Sequence, residues 1–386
     1  MIKFLVCLFI ISCVNGQGIL NLSEGSKCSK DGVDGVCASV YNCLNAAEDI
    51  KDKDYPLVCG YRGKVPIICC TDCELANDTR TMYISATSGR WYFRNGQKAR
   101  DKCFDYMQEL DPCHGHFSGK IAKSKHPTRN CYESYPTAVG AVGGRDAYRA
   151  EFPHMALLGY GSELDSAQWL CGGSVISEKY ILTAGHCIAS SSLGPVKYIG
   201  LGILKRSDPE ELWQRYLVKR VITHPEYKPP SKYHDIALLQ AHKRISFNDQ
   251  VRPACLHFQK FDKDAEAKAT GWGALGLRKE LADTLQIVDL DEYTERECST
   301  LYPPSRLQKR GYDPNTQMCF GKRDKIRDTC GGDSGGPLQN KIFINHCQYT
   351  VLGVTSTGHQ CGVVGSTGIY TRVLPYLRWI ENIVWP

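Results

Sequence analysis

Short apolar runs separated by glycine and proline turns dominate the chain from residue 141 to residue 386. The segments 219–223 (KRVIT) and 349–355 (YTVLGVT) are rich in β-branched and aromatic residues, as strands are. Residues 375–384 differ, because their apolar side chains recur at helical spacing. The pattern predicts an all-β fold built as a pair of barrels and closed by an amphipathic helix.

The amino-terminal residues 1–16 have the pattern of a signal peptide. Lys3 precedes an apolar run over residues 4–14, and Gly16 supplies a small side chain at the end. The run is shorter than the roughly 20 residues that a membrane-spanning helix needs. We therefore expect a secreted, extracellular protein without membrane insertion.

Cysteine spacing divides the remaining sequence into three parts. Two of the 20 cysteines lie in the signal peptide, which leaves an even number for disulfides in an oxidising compartment. Six of these occupy residues 28–70 among few large apolar side chains, so disulfides must hold that unit together. A polar linker with one helical stretch, residues 97–110, separates it from the β-rich part. The predicted organisation is a signal peptide at 1–16, a disulfide-rich module at 27–71, a linker or pro-region at 72–140 and a β-rich domain at 141–386.

The charge pattern excludes one class of partner. The net charge of +6 at pH 7 is spread along the chain without long lysine or arginine blocks, which argues against nucleic acid. Residues 113–116 (CHGH) fit no standard zinc spacing, and we expect no metal ion and no other cofactor. Asn21 and Asn77 begin sequons at which an exported chain is open to N-glycosylation.

Three short motifs in the β-rich part carry the candidate chemistry. They are LTAGHC at 182–187, HDIALL at 234–239 and GDSGGP at 332–337, and they hold His186, Asp235 and Ser334. A neutral imidazole can take the proton of a serine hydroxyl as that oxygen attacks a carbonyl carbon. A buried carboxylate then orients the ring and stabilises the imidazolium. The chain order His, Asp, Ser is that of one known triad.

With these motifs and the matching cysteines, residues 141–386 resemble the chymotrypsin-like (trypsin-fold) serine proteases. The resemblance implies a double β-barrel with a carboxy-terminal helix and a serine endopeptidase that is made as an inactive zymogen. It gives His186, Asp235 and Ser334 the catalytic roles. It also implies that the backbone N–H groups of Gly332 and Ser334 form the oxyanion hole.

The same resemblance implies trypsin-like specificity, with cleavage after Arg or Lys. The residue at the base of the primary pocket is Asp328, whose carboxylate pairs with a basic side chain, since an unpaired buried charge is costly. Gly358 and Gly368 correspond to the glycines of the pocket wall. The edge strand that begins at Ser356 is expected to pair with the substrate backbone.

The six cysteines of residues 28–70, with Gly60 and Tyr61 following the fourth, resemble the clip domain of arthropod serine proteases, and the catalytic part looks closest to the snake and persephone branch. The family pairing implies the bonds Cys28–Cys69, Cys37–Cys59 and Cys43–Cys70. For the catalytic part the resemblance implies Cys171–Cys187, Cys298–Cys319, Cys330–Cys361 and a linker bond Cys131–Cys255. We assign Cys103 to Cys347, which leaves Cys73 for Cys113, and mass mapping of an unreduced digest tests both.

Activation in this family follows a cut before an Ile-Val-Gly-Gly start, whose new ammonium pairs with the aspartate before the nucleophile, here Asp333. The corresponding start is Ala141, so the cut falls after Gly140. The nearest basic residue before this bond is Arg129, which favours an activating protease that prefers small residues. Alanine in place of isoleucine forfeits buried carbons worth about 2–4 kcal/mol of the active conformation.

A clip domain joined to a trypsin-like domain implies a protease of a haemolymph cascade, in innate immunity (Toll or melanisation) or in development. The expected partners are an extracellular protein substrate, such as a protease zymogen or a cytokine-like precursor, an upstream activating protease and a serpin-type inhibitor. The alternative is a catalytically weak clip-domain cofactor that acts by binding. Hydrolysis of an arginyl peptide by the cleaved chain separates these two hypotheses.

Overall fold

The computed structural model describes residues 20–30, 33–40, 43, 56–62, 65–70, 96–109, 144–258, 267–276, 279–323, 332–343, 348–358 and 365–386. These residues belong to two compact units. One contains the described residues up to residue 70, and the other contains those from residue 96 onwards. Each unit has its own sheets and its own core.

The first unit is a small antiparallel sheet held by disulfides. Its strands run in the order β1-β2-β4-β3, and Ile67 and Ile68 are its largest buried side chains. Three bonds cross it, Cys28–Cys69, Cys37–Cys59 and Cys43–Cys70, which is the pairing that the clip-domain resemblance implies. The strands are β1 (Lys27–Lys30), β2 (Val33–Ser39), β3 (Val58–Arg62) and β4 (Val65–Cys70).

The second unit begins with a closed six-stranded barrel. The ring closes because the fourth of its strands along the chain pairs with both the first and the fifth. The first and third strands are buried along their whole length, so this barrel has a filled interior. Its strands are β6 (Met155–Tyr160), β7 (Gln168–Val175), β8 (Tyr180–Thr183), β10 (Gly194–Leu201), β11 (Gln214–Thr223) and β12 (Ala237–Ala241), with the short β9 (Ala189–Ser190) beside β10.

A second six-stranded ring follows and closes through its last two strands. Its strands are β14 (Ala267–Gly271), β15 (Gln286–Glu292), β16 (Gln317–Gly321), β17 (Pro337–Phe343), β18 (Gln348–Gly358) and β19 (Thr367–Arg372). Two short strands join it, β5 (Arg145–Asp146) beside β15 and β13 (Cys255–Leu256) parallel to β18. The helices are α1 (Gln97–Glu109), α2 (Glu295–Leu301) and α3 (Leu377–Val384).

The prediction of two β-barrels with a closing helix is confirmed. Helix α3 buries Leu377, Ile380 and Val384 in the core of the unit, at the helical spacing read from the sequence. The helical stretch predicted within the linker is also present as α1. Among the described residues, the helices are all too short or too polar to cross a membrane.

Helix α1 belongs to the same unit as the barrels. The buried carboxylate of Glu381, in α3, accepts hydrogen bonds from the backbone N–H groups of Gly96 (3.1 Å) and Ala99 (2.9 Å). These are donors that the first turn of a helix leaves unsatisfied, so the carboxylate caps α1 and fixes its position. A disulfide, Cys103–Cys255, then joins α1 to β13 with a Cα–Cα distance of 5.1 Å.

This bond corrects two expected pairings. The predicted Cys131–Cys255 bond is wrong, because Cys255 is bonded to Cys103. The predicted Cys103–Cys347 bond is wrong for the same reason. The physical cause is the docking of α1, which places Cys103 within disulfide distance of β13.

The bonds Cys171–Cys187 and Cys298–Cys319 are present as the resemblance implies. The expected bonds Cys330–Cys361 and Cys73–Cys113, the signal peptide and Asn77 lie outside the described residues. Asn21, the other candidate glycosylation site, is exposed.

Burial of His154 predicts a loss of stability in acid. The side chain is 1% exposed, and burial, opposed only in part by a hydrogen bond with Gln339, lowers its pKa from 6.5 to about 4. The unfolded chain therefore takes up this proton first as the pH falls from 6.5, and stability decreases until about pH 4. We expect this group to lower the free energy of unfolding by about 2–3 kcal/mol between pH 7 and pH 4.5.

Urea denaturation of the disulfide-intact protein at these two pH values measures the effect. His154→Gln should reduce the difference between the two free energies, whereas His242→Gln, at an exposed position, should leave it unchanged. Equal pH dependence in both variants would contradict the assignment.

Candidate active site

His186 lies in a tight turn that follows β8. The turn is a 3-10 helix, Gly185–Ile188, and the disulfide from Cys187 to Cys171 ties it to β7. Gly185 has no room for a side chain, because a Cβ there would lie 2.8 Å from the ring of Tyr227. The residues on either side of His186 are therefore fixed, Gly185 by the ring of Tyr227 and Cys187 by its disulfide. A quarter of the His186 side chain is exposed.

Asp235 lies just before β12 and is fully buried. Its Oδ2 lies 2.8 Å from Nδ1 of His186, and its Oδ1 accepts the backbone N–H of the same residue at 2.8 Å. The hydroxyl of Ser356 donates to Oδ2 at 2.5 Å. Burial opposes ionisation, but these hydrogen bonds and the nearby charges outweigh it and hold the pKa of Asp235 below its ordinary value.

This arrangement makes His186 a candidate general base. An ionised carboxylate at Nδ1 keeps the ring proton on that nitrogen, so Nε2 is free to accept a proton from a nucleophile. The same carboxylate stabilises the imidazolium that forms after the transfer. The hydroxyl of Thr371 donates to the backbone carbonyl of Asp235 at 3.0 Å, which fixes the residue from β19.

Ser334 lies in a turn before β17 that only glycines can form. Gly332 has φ 103° and Gly335 has φ 79°, both in the region that side chains disfavour. A Cβ on Gly335 would lie 2.2 Å from the hydroxyl oxygen of Thr183 and 2.5 Å from the carbonyl oxygen of Gly172. The carbonyl of Ser334 accepts the N–H of Gly172 at 2.8 Å. The turn therefore packs closely against Gly172 in β7 and Thr183 in β8. The disulfide Cys171–Cys187 joins β7 to the turn that follows β8.

The carboxylate of Asp333 packs on the backbone of residues 271–273. Its Oδ1 accepts the N–H of Gly273 at 2.8 Å. A Cβ on Gly271 or Gly273 would lie 2.0 or 2.4 Å from a carboxylate oxygen. Glycine at both positions therefore gives the carboxylate its place. The expected partner of this carboxylate, the amino group of Ala141, and the bond after Gly140 lie outside the described residues.

Two of the expected substrate-binding residues, Gly358 and Gly368, meet at the end of two paired strands. Gly358 on β18 and Gly368 on β19 are register partners, so two residues without side chains face each other. The pairing shifts between Thr355 and Thr357, which sets Ser356 out of the regular ladder and turned to Asp235. Asp328 lies outside the described residues.

Two roles escape sequence reasoning. The sequence predicted Ser356 as a substrate-binding residue only, yet its hydroxyl also contacts the carboxylate of Asp235, 121 residues away. Thr371, which holds the backbone of Asp235, is 136 residues away from it. Both contacts join the second barrel to the first, and no local motif marks either residue.

A family model described as Trypsin matches residues 141–380, the segment that holds this site. The chain belongs to the trypsin family of serine proteases. The match covers the two barrels and the first half of α3.

Relatives of this trypsin-family chain include insect proteases that align over more than half of its length. Serine protease snk of Drosophila melanogaster is 34% identical over 369 residues, which are 94% of this chain and 79% of that protein. Phenoloxidase-activating factor 1 of Holotrichia diomphalia is 27% identical over 92% of both chains. CLIP domain-containing serine protease C9 of Anopheles gambiae is 35% identical over 62% of this chain and 67% of its own. The resemblance to clip-domain serine proteases, with a snake-like relative, is confirmed.

Proposed function

We propose that the chain is a secreted serine endopeptidase zymogen that cleaves after Arg or Lys in an extracellular proteolytic cascade. The observation that carries the proposal is the contact of His186 with a fully buried, ionised Asp235. Burying a carboxylate costs free energy of folding. A histidine with a purely structural role needs only a neutral hydrogen-bond acceptor at Nδ1, so the buried charge favours a catalytic role.

In the proposed reaction Ser334 is the nucleophile. As its hydroxyl oxygen attacks the scissile carbonyl carbon, the proton passes to Nε2 of His186, and the same imidazolium later protonates the leaving amine. Asp235 keeps the tautomer and stabilises the positive ring. The N–H groups of Gly332 and Ser334 stabilise the negative oxygen of the tetrahedral intermediate. The φ of 103° at Gly332 sets the direction of the backbone that carries these groups.

The specificity proposal rests on Asp328 together with the glycine pair. Paired positions without side chains at Gly358 and Gly368 leave space for a long substrate residue over the face of the β18–β19 pair. A carboxylate at the base of such a slot selects Arg or Lys, because other side chains would leave it unpaired. The backbone of β18 near Ser356 supplies the edge on which an extended substrate pairs.

Activation is proposed at the bond between Gly140 and Ala141. The new ammonium would pair with Asp333, whose carboxylate rests on Gly271 and Gly273 at the start of the oxyanion turn. Because residues 137–140 before the bond contain no Arg or Lys, the proposed activator is a protease that prefers small residues. The first unit, the clip domain, stays attached to the protease after this cut through the Cys103–Cys255 disulfide.

The pathway proposal comes from the relatives. One is named for activating phenoloxidase and another for melanization, and the snake-like relative covers nearly the whole chain. We propose a place in a haemolymph cascade of immunity or development, with a protease zymogen or cytokine-like precursor as substrate and a serpin-type protein as inhibitor.

One experiment tests the proposed activity. Gly140→Arg makes the zymogen cleavable before Ala141 by an added trypsin-like protease, which is then removed. The cut chain should hydrolyse arginyl and lysyl peptides and leave leucyl peptides intact. Asp328→Ser in the same background should lower kcat/KM for the arginyl peptide about 10³-fold or more, because the basic side chain loses its charge partner.

Amino-terminal sequencing completes this test. The naturally activated chain should begin with Ala-Val-Gly-Gly, and a different start would refute the proposed activation site. A correctly cut chain that hydrolyses none of the peptides would refute the endopeptidase and favour the binding cofactor.

A further inference from the structure

Two imidazoles and a carboxylate cluster beside the catalytic aspartate. His224, Glu226 and His234 each offer a ligand atom, and these atoms lie within 4.8 Å of one another. The two other groups of this compactness among the described residues contain cysteines that are bonded in disulfides. A disulfide sulfur is not a thiolate and cannot take a metal as one. Of these groups, only the His-Glu-His cluster is free of disulfide sulfur.

The two imidazoles of the cluster are held in place by aromatic neighbours. Their rings are stacked with centroids 5.5 Å apart and planes 20° from parallel. Nδ1 of His234 lies 2.9 Å from the hydroxyl of Tyr376. The ring of His224 packs edge-on against Tyr376 and Trp379, at 4.8 and 5.2 Å between centroids. Because the rings are already oriented, a ligand that binds both loses little side-chain entropy.

The carboxylate of the cluster is at the protein surface and completes the set of donors. The side chain of Glu226 is 69% exposed, and its Oε2 lies 3.9 Å from Nδ1 of His234. Two imidazoles and one carboxylate are a donor set that zinc accepts with a water molecule as fourth ligand. Imidazole nitrogen also favours zinc, copper and nickel over calcium and magnesium.

We propose that His224, Glu226 and His234 form a binding site for a divalent transition-metal ion, zinc in particular, and that its occupation lowers proteolytic activity. The second part rests on the proposed function. The first part rests on the cluster alone. It revises the expectation, drawn from the sequence, that the chain has no metal site.

The position of the cluster explains why metal binding should reach the catalytic residues. His234 directly precedes Asp235 and has φ 56°, and its carbonyl accepts the N–H of Ile236 at 2.8 Å, so the backbone here is a tight, strained turn. Glu226 directly precedes Tyr227, whose ring leaves no space at Gly185, next to His186.

Zinc binding would draw these two segments together. Ligand atoms around a tetrahedral zinc ion lie about 3.3 Å apart, as zinc–nitrogen bonds of about 2.0 Å require. The ligand atoms of the cluster lie within 4.8 Å of one another, and Nδ1 of His234 is 3.9 Å from Oε2 of Glu226. Closure on a metal ion therefore shifts the turn at His234, and a small displacement of a catalytic group lowers the rate strongly.

Calorimetric titration of the full chain with zinc chloride tests the site, after a chelator has removed bound metal. The wild-type chain should bind one zinc ion that both His224→Gln and Glu226→Gln lose or bind at least tenfold more weakly. His242→Gln changes an exposed histidine outside the cluster and should bind like the wild type. Equal zinc binding by all four proteins would overturn the site.

Peptide hydrolysis by the same four proteins, activated through Gly140→Arg, tests the consequence. Zinc should inhibit the wild type and the His242→Gln control at concentrations that leave the two cluster variants active. If the two cluster variants lose zinc binding but zinc still inhibits them as it inhibits the wild type, the coupling to catalysis is overturned. If none of the four hydrolyses peptide in the presence of chelator, the proposed function fails, and calorimetry still decides the metal site.

Discussion

Asp235→Asn should lower kcat for an arginyl peptide about 10⁴-fold with little change in KM. The hydrogen-bond pattern dictates how the new side chain sits. The backbone N–H of His186 needs an acceptor, so the amide oxygen takes the place of Oδ1 and the amide NH₂ faces Nδ1. An NH₂ group donates, so Nδ1 must accept, and the ring proton moves to Nε2. Nε2 can then no longer take the proton of Ser334.

Steady-state kinetics of the activated variant measure this loss. Asp165→Asn is the matched control, because it removes one carboxylate charge at an exposed position and should keep wild-type kcat. Thermal denaturation of both variants shows whether the fold is kept. A decrease in kcat of less than tenfold in folded Asp235→Asn would contradict the proposed role of the carboxylate.

The sequence predicts this site well because each part of it is local. His186, Asp235 and Ser334 each lie in a run of six residues whose glycines and apolar neighbours form one turn or one strand start. The barrels are predictable for a similar reason, since strand runs and turns alternate along the chain. Gly332 follows the same logic, because a turn with φ 103° accepts only glycine.

Contacts between distant segments could not be predicted in this way. The partner of Cys255 depends on where α1 docks, and α1 is capped by a carboxylate at Glu381, 282 residues after Ala99. No spacing rule in the sequence connects these positions, so the assignment of Cys131 to Cys255 followed family precedent and was wrong.

The metal cluster was missed for the same physical reason. His224 and His234 are ten positions apart in a segment with no metal-binding motif, and they stack only because the chain between them turns back toward α3. Metal-binding motifs are recognised from ligands at short, regular spacings in the sequence, whereas this cluster is formed by tertiary structure.

Gly335→Ala should reduce kcat/KM at least 100-fold, a second large effect that follows from packing alone. The new Cβ would lie 2.2 Å from the hydroxyl oxygen of Thr183 and 2.5 Å from the carbonyl oxygen of Gly172. Thr183 is fully buried and donates to that carbonyl at 2.8 Å, so neither group can move aside without disrupting β7 or β8. The turn must shift instead, and it carries Ser334 away from His186, where a displacement of about 1 Å costs about 100-fold in rate.

Gly194→Ala separates this packing effect from backbone strain. Gly194 has the same φ of 79°, yet a Cβ there has open space around it, so its replacement adds only the strain of a left-handed alanine, about 1–2 kcal/mol. Both variants should lose some thermal stability, and only Gly335→Ala should lose activity. Equal kcat/KM in the two activated variants would show that the turn tolerates a side chain beside Ser334. That result would refute the argument that β7 and β8 set the position of the nucleophile.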